Sequence, residues 1–347
     1  MAGDFSINKE IFTTNLIITN KCNLFCKYCY SNDENIKTIK KSDLIKSLDI
    51  IINSPGKIKV INILGGEPLI EMNLIKDIVK YSKTICSDKE VHFTLSSNGT
   101  LLDKEKCAFI KKNNIYLGIS LDGDKKTHDA NRIDKSGSGT HDIILKKLKY
   151  LSKDYIKKYL RISMTLTPKN IPSLLENFYY LSKITKDIKI NPVFFTHWTE
   201  EDYYSFIKKF YLIEKYKWRH KVKETVVDPP KKRSECLFYE NLSFNYDGNI
   251  YVSCPFINNK CINNEKLLIG SIGKFPKKYL TCKYDQHNKR CQTCGYCHNV
   301  CCYHDLNSNR LKKEEAILYK KILKIIPKII QNVQKKKEDK FCKYIVD

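Results

Sequence analysis

The sequence predicts an α/β protein built on a parallel sheet, and three observations predict it. Six short apolar runs, at 11–20, 58–64, 91–97, 115–121, 159–166 and 188–195, have the length and residue types of strands. Amphipathic stretches at 42–53, 73–83, 103–112, 142–152, 171–184 and 200–221 alternate with them, and Leu44, Leu48, Ile51 and Ile52 show the helical spacing in the first. In the fourth apolar run Tyr116, Gly118, Ser120 and Asp122 share one face, while Ile115, Leu117, Ile119 and Leu121 share the other. Such alternation builds right-handed βα units, and six of them make a partial (β/α)6, TIM-like barrel. The apolar face of strand four then meets the helices and its polar face lines the interior, which suits a large polar ligand. Functional residues are expected where strands end at their C-terminal side.

The chain has 347 residues, room for one domain of ordinary size and a smaller one. We expect a barrel over 1–222, a cysteine-rich domain over 223–310 and a helical segment over 311–347, which reads as a solvated basic helix interrupted at Pro327. The first ten residues are polar and carry neither a secretory signal nor a membrane span, so a cytoplasmic protein is expected. Fifteen cysteines are poorly explained by disulfides in a reducing compartment, and metal or cluster ligation accounts for them better, in an anaerobic niche. The net charge of +24 comes from lysines spread over helix faces, with no arginine–aromatic platform. Nucleic acid is therefore disfavoured as a partner, and a peptide with acidic residues suits the field better.

The chemistry begins directly after strand one, at Cys22-Asn-Leu-Phe-Cys26-Lys-Tyr-Cys29. Thiolate is the soft ligand that iron–sulfur clusters and zinc prefer. Three thiolates leave one iron of a cubane cluster open to a ligand, whereas a structural zinc wants a fourth ligand and none follows. Strand two ends in Gly65-Gly66-Glu67-Pro68, where glycines permit close backbone approach and the carboxylate suits an ammonium group. Strands three and four run into Ser97-Asn98-Gly99-Thr100 and Ser120-Leu121-Asp122-Gly123, and Ser120 and Asp122 alternatively cap the turn that follows. Further on stand His128, which reads as structural, and Arg132, a planar cation suited to a carboxylate or, alternatively, a surface residue.

The C-x3-C-x2-C loop with Tyr28 before its last cysteine resembles the cluster motif of radical S-adenosylmethionine (radical SAM) enzymes. The resemblance implies that Cys22, Cys26 and Cys29 hold a 4Fe–4S cluster whose open iron is chelated by SAM. Reductive cleavage of SAM would then give a 5′-deoxyadenosyl radical that abstracts hydrogen from a substrate. It further implies that Tyr28 lies at the adenine side and that Gly65, Gly66 and Glu67 hold the SAM amino group. Ser97, Asn98 and Ser120 would reach its ribose and carboxylate, Arg132 would pair with the carboxylate, and Leu166 or a neighbour would close the adenine pocket. A reductant such as flavodoxin or ferredoxin would supply the electron.

Beyond a linker at 228–233 come Cys236 and Cys254, flanking an expected hairpin in which Leu242, Phe244 and Tyr246 alternate up to an Asp247-Gly248 turn and Ile250 and Val252 resume. A dense run follows at Cys291, Cys294, Cys297, Cys301 and Cys302, and Cys342 stands near the end. The arrangement looks like a SPASM domain, which carries two auxiliary 4Fe–4S clusters, or one in the shorter twitch form. The resemblance implies Cys236 and Cys254 for an inner cluster with Cys301 or Cys302, and Cys291, Cys294 and Cys297 for an outer one with Cys342 as a closing ligand. The spacing departs from the usual pattern, with five residues rather than four between Gly248 and Cys254, and a zinc knuckle is the alternative for the dense run.

A barrel with this extension is similar to enzymes that modify ribosomally made peptides, forming thioether or carbon–carbon crosslinks or epimerised residues. The expected function is such a peptide maturase. With only ten residues before strand one, a separate leader-binding protein or the C-terminal region would help to hold the peptide. An oxidase resembling anaerobic sulfatase maturases is the alternative, although Pro255 stands where an acidic base would follow Cys254. A non-catalytic metal-binding interaction protein is a third reading, of a different class.

Overall fold

The structure, a computed structural model, describes residues 11–29, 35–86, 88–193, 196–220, 222–225, 241–252, 268–273 and 329. In chain order these form β1 (Thr13–Ile17), α1 (Lys41–Asn53), β2 (Ile58–Leu64), α2 (Met72–Ile85), β3 (Glu90–Ser97), α3 (Lys104–Lys112), β4 (Tyr116–Ser120), α4 (Lys125–Asp129), α5 (His141–Leu148) and α6 (Lys153–Tyr159). There follow β5 (Leu160–Leu166), α7 (Leu174–Ser182), β6 (Asp187–Pro192), α8 (Glu200–His220), β7 (Lys223–Thr225), β8 (Asn241–Phe244), β9 (Asn249–Val252) and β10 (Leu268–Ser271). The protein is thus α/β with parallel strands, as the alternation predicts. The described chain divides into two compact units. One holds β1 to β3, α1 to α3 and β8 to β10; the other holds α4 to α8 and β5 to β7, and β4 passes from the first into the second after Gly118.

In the first unit β1 pairs in parallel with β2, and β2 with β3. Leu16, Ile61, Ile63, Phe93 and Leu95 are buried on one face of these strands, as are Leu44, Leu48, Ile75 and Ile78 on the helices. The other face is polar. Asn15, Asn62, Thr94 and Ser243 stand in register across four strands and are joined by side-chain hydrogen bonds of 3.1, 2.7 and 3.2 Å. The expected hairpin is present: β8 and β9 are antiparallel, with Gly248 at φ +84° in the turn, a conformation that glycine adopts without steric cost. Sequence did not indicate where the hairpin attaches. β8 pairs in parallel with β1, Thr13 opposite Asn241, and β10 adds antiparallel to β9.

In the second unit β5 pairs in parallel with β6 and β6 with β7. Ile162, Met164, Leu166, Phe178, Ile190, Phe206 and Phe210 are buried there. The helix expected over 142–152 ends at Leu148, and α6 beyond it was not foreseen: Ser152 takes an extended conformation and its hydroxyl accepts the backbone N–H of Tyr155, capping a new helix. α4 was not foreseen either; Asp124 caps it by accepting the N–H of Thr127 at 2.8 Å. The sixth strand ends at Pro192, short of the expected residue 195. No helix among the described residues is long and apolar enough to cross a membrane. Apart from Ile329, the expected C-terminal segment lies outside the described residues.

Candidate functional site

The first unit builds a loop cluster at the C-terminal ends of β1, β2 and β3. Gly66 N donates to Thr19 O at 2.9 Å and Glu67 N to Lys21 O at 2.7 Å, so the Gly65–Glu67 turn lies directly against the chain that leads into Cys22. A Cβ on Gly65 would stand 2.6 Å from Thr19 O, and one on Gly66 2.4 Å from Lys21 O. The two glycines therefore permit contact between backbones at the root of the cysteine loop.

Glu67 is fully buried. Its carboxylate accepts the backbone N–H of Leu69 at 3.0 Å, the Ser97 hydroxyl at 2.9 Å and the backbone N–H of Asn98 at 2.6 Å. Burial pushes its pKa up to about 7, against the three hydrogen bonds, which pull it down. Asn98 in turn reaches the cysteine loop: its Nδ2 donates to Asn23 Oδ1 at 2.9 Å and lies 4.0 Å from Cys22 Sγ. Leu24 N donates to the same sulfur at 3.4 Å. N–H groups directed at sulfur favour the thiolate form that a metal needs. Cys22 and Cys26 are half-buried and Cys29 is exposed.

The second unit gathers Tyr28, Asp122, Arg132 and Thr165. The Tyr28 hydroxyl donates to Asp122 Oδ2, and Arg132 Nε lies 3.0 Å from the same oxygen. Asp122 Oδ1 accepts the backbone N–H of Thr165 at 2.9 Å, and an Arg132 terminal nitrogen donates to Thr165 Oγ1 at 3.1 Å. The guanidinium stands 5.2 Å from the centre of the Tyr28 ring, within cation–π range. Burial raises the Tyr28 pKa, with the Arg132 charge opposing and Asp122 reinforcing. Burial alone would lower that of Arg132, but the Asp122 carboxylate more than offsets it and holds the guanidinium charged.

His128 is structural in this arrangement. Its Nδ1 accepts the backbone N–H of Asp122 at 3.3 Å, so the proton sits on Nε2, 3.0 Å from Thr140 Oγ1. Burial lowers its pKa to about 4.

The sequence-predicted residues thus fall into two groups. Gly65, Gly66, Glu67, Ser97, Asn98 and Cys22 come together in one unit, and Tyr28 and Arg132 in the other. Arg132 is buried, so the surface alternative is discarded. Ser120 is half-buried on the polar face of β4. Leu166 belongs to the buried face of β5 with Ile162 and Met164, and the polar side at that level is Thr165. Asp122, placed from sequence on the polar face of strand four with a turn cap as the alternative, joins the Tyr28–Arg132 group. Cys236, Cys254, Cys291, Cys294, Cys297, Cys301, Cys302 and Cys342 lie outside the described residues.

Among the described residues no three His, Cys, Asp or Glu side chains converge on the position of one metal ion. A single zinc with bonds of about 2.3 Å draws its sulfurs to within ~4 Å of one another. A cluster asks for less convergence, since each thiolate binds a different iron. The donor set, three thiols on one loop with N–H groups directed at the first, fits a cluster.

Residues 16–178, a little under half of the chain, match the sequence profile of the Radical SAM superfamily. Members carry a 4Fe–4S cluster and SAM. An uncharacterised protein of Methanocaldococcus jannaschii is 36% identical over 166 residues, 48% of this chain and 57% of that protein. The cysteine-type anaerobic sulfatase-maturating enzyme of Clostridium novyi is 28% identical over 174 residues, 48% of this chain and 46% of that enzyme. A radical SAM cyclopropyl synthase of Paramaledivibacter caminithermalis is 24% identical over 219 residues, 56% of this chain and 45% of that one. These matches span about half the length of the relatives. Among solved structures, the anaerobic sulfatase-maturating enzyme anSMEcpe, bound to AdoMet and a peptide, superposes with a TM-score of 0.72 at 17% identity, over 93% of this chain and 99% of that one. That likeness concerns the fold, a partial barrel.

Proposed function

We propose that the protein is a radical SAM maturase that acts on a ribosomally made peptide, giving a thioether or carbon–carbon crosslink or an epimerised residue. Cys22, Cys26 and Cys29 hold the cluster, and the loop Gly65–Glu67 takes the amino group of SAM. A bound cluster and SAM together supply a radical able to remove hydrogen from an unactivated carbon. The chain's own residues prepare that event. Asn98 and Leu24 direct N–H groups at Cys22, Glu67 fixes the turn at the root of the cysteine loop, and Arg132 offers a buried cation to the SAM carboxylate. The cradle of Gly65 and Gly66 against Thr19 and Lys21 is the observation that carries this reading, because it ties the Gly-Gly-Glu turn to the cysteine loop.

The expected auxiliary clusters, one or two on the cysteines from Cys236 onward, and the reductant, a flavodoxin or ferredoxin, belong to the same proposal. So does a separate leader-binding protein. Similarity to a sulfatase-maturating enzyme favours a second reading, oxidation of a protein side chain to formylglycine. The cyclopropyl synthase that the chain also resembles is named for a different product, so these similarities bear on cofactor chemistry more than on product.

Anaerobic reconstitution followed by assay for 5′-deoxyadenosine tests the cofactor chemistry. Cys22→Ala/Cys26→Ala/Cys29→Ala should abolish SAM cleavage while auxiliary iron remains; retained cleavage refutes the assignment. Mass spectrometry of a co-expressed peptide distinguishes the products: a crosslink loses two hydrogens, and an epimerised residue gains deuterium in heavy water at unchanged mass in light water.

A further inference from the structure

We infer that Asp122 is a positioning residue of the cofactor site, whose carboxylate fixes Tyr28 and Arg132 together so that the cysteine loop and the cation meet SAM already in place. This rests on the radical SAM reading above. A fully buried carboxylate is costly unless every oxygen is satisfied, and Asp122 is completely buried. Oδ1 is taken by Thr165 N, and Oδ2 by the Tyr28 hydroxyl and Arg132 Nε. These partners come from three separate segments: the cysteine loop, the loop after α4, and β5.

The backbone of Asp122 completes a ring. Its N–H enters His128 Nδ1, the His128 Nε2–H faces Thr140 Oγ1, and Thr140 donates to the carbonyl of Arg132 at 3.2 Å. Arg132 is therefore held from both ends, its guanidinium by the Asp122 side chain and its carbonyl by a chain that starts at the Asp122 backbone. The turn behind is equally fixed. Gly123 has φ +144°, Asp124 N donates to Asn177 Oδ1 at 2.8 Å, and a Cβ on Gly123 would stand 2.1 Å from that oxygen.

Tyr28 lies between Cys26 and Cys29, so holding its hydroxyl restrains the loop at two of the three thiols. A guanidinium whose orientation is set in advance loses less freedom when it meets a carboxylate. A carboxylate at position 122 thus connects two SAM-facing functions without itself needing to touch SAM.

The test uses the full chain, reconstituted anaerobically, as wild type, Asp122→Asn, Tyr28→Phe and the double variant. Four quantities are measured: SAM dissociation constant by calorimetry, the SAM-induced change in the reduced-cluster EPR spectrum, iron content, and Tm of the apoprotein. Asp122→Asn should load wild-type iron yet bind SAM about tenfold more weakly, with an altered EPR response. Tyr28→Phe should lose less, and the double variant should be no weaker than Asp122→Asn alone. Unchanged SAM affinity and EPR response, losses that add, or lost iron with intact affinity in the loaded fraction would overturn the inference. If Asp122→Asn does not fold, Tyr28→Phe decides by the same affinity and EPR readouts. Wild-type protein that takes up a cluster but gives no SAM response would overturn the radical SAM reading itself, a result distinct from variants that behave as wild type.

Discussion

Glu67 accepts the backbone N–H of Asn98 at 2.6 Å, which ties the turn after β2 to the turn after β3. The bond favours the ionised carboxylate, while burial favours the neutral one and raises the pKa from 4.5 to about 7. A raised folded-state pKa stabilises the protein below 4.5, and that contribution is lost as pH rises through 7. The stability difference between wild type and Glu67→Gln should therefore move against wild type by up to ~3 kcal/mol between pH 4.5 and 7 and level off above. Denaturant melts of the apoprotein at several pH values check this.

His128 works in the opposite direction. Its folded-state pKa is about 4 against 6.5 unfolded, so its contribution is present above 6.5 and lost as pH falls through 4. Relative to His128→Asn, wild type should weaken on acidification across that window. The two residues oppose each other between pH 4.5 and 6.5, so the wild-type profile should be flatter there than either variant difference.

Gly66→Ala should be far more damaging than an exposed Gly→Ala change. Its Cβ would lie 2.4 Å from Lys21 O and 2.6 Å from Asn20 O, both backbone atoms that cannot rotate away. We expect a loss of about 2 kcal/mol or more and poor iron retention by the Cys22 loop. Gly137→Ala, with nothing within 4 Å of its Cβ but φ +84°, serves as a control for backbone strain alone.

Arg132→Met removes the counter-charge of a buried carboxylate. Breaking such a pair costs roughly 3–5 kcal/mol. The apoprotein should lose stability by that order in thermal melts, and adding Asp122→Asn to Arg132→Met should recover part of it, because the orphaned charge is then gone.

The α/β class and six of the strands were legible because hydrophobic periodicity was strong: β2 covers the predicted 58–64, and β3, β4 and β5 differ by a residue at one or both ends. α6 was not, since Ser152 reads as the end of one helix until its side chain is seen capping the next. Lys59 is the clearest tertiary override. A lysine among alternating apolar residues reads as solvent-facing, yet it is fully buried and donates to Ile11 O, Ser54 Oγ and Pro55 O. At the site, spacing identified the cysteines and the Gly-Gly-Glu turn. It did not reveal that Asp122 joins Tyr28, Arg132 and Thr165, because those residues are remote in the chain and meet only once β4 and β5 are side by side, with Leu121 N on Ser163 O.

The parallel pairing of β8 with β1 has a consequence for biosynthesis. Asn15 and Ser243, hydrogen-bonded across those strands, are 228 residues apart in the chain. One edge of the first strand stays open while the ribosome makes everything between them, and the strand that carries the chain into the cysteine loop gains its second neighbour late. Cluster insertion into a nascent chain would therefore meet a half-flanked strand, and long-range closure of this kind is intrinsically slow.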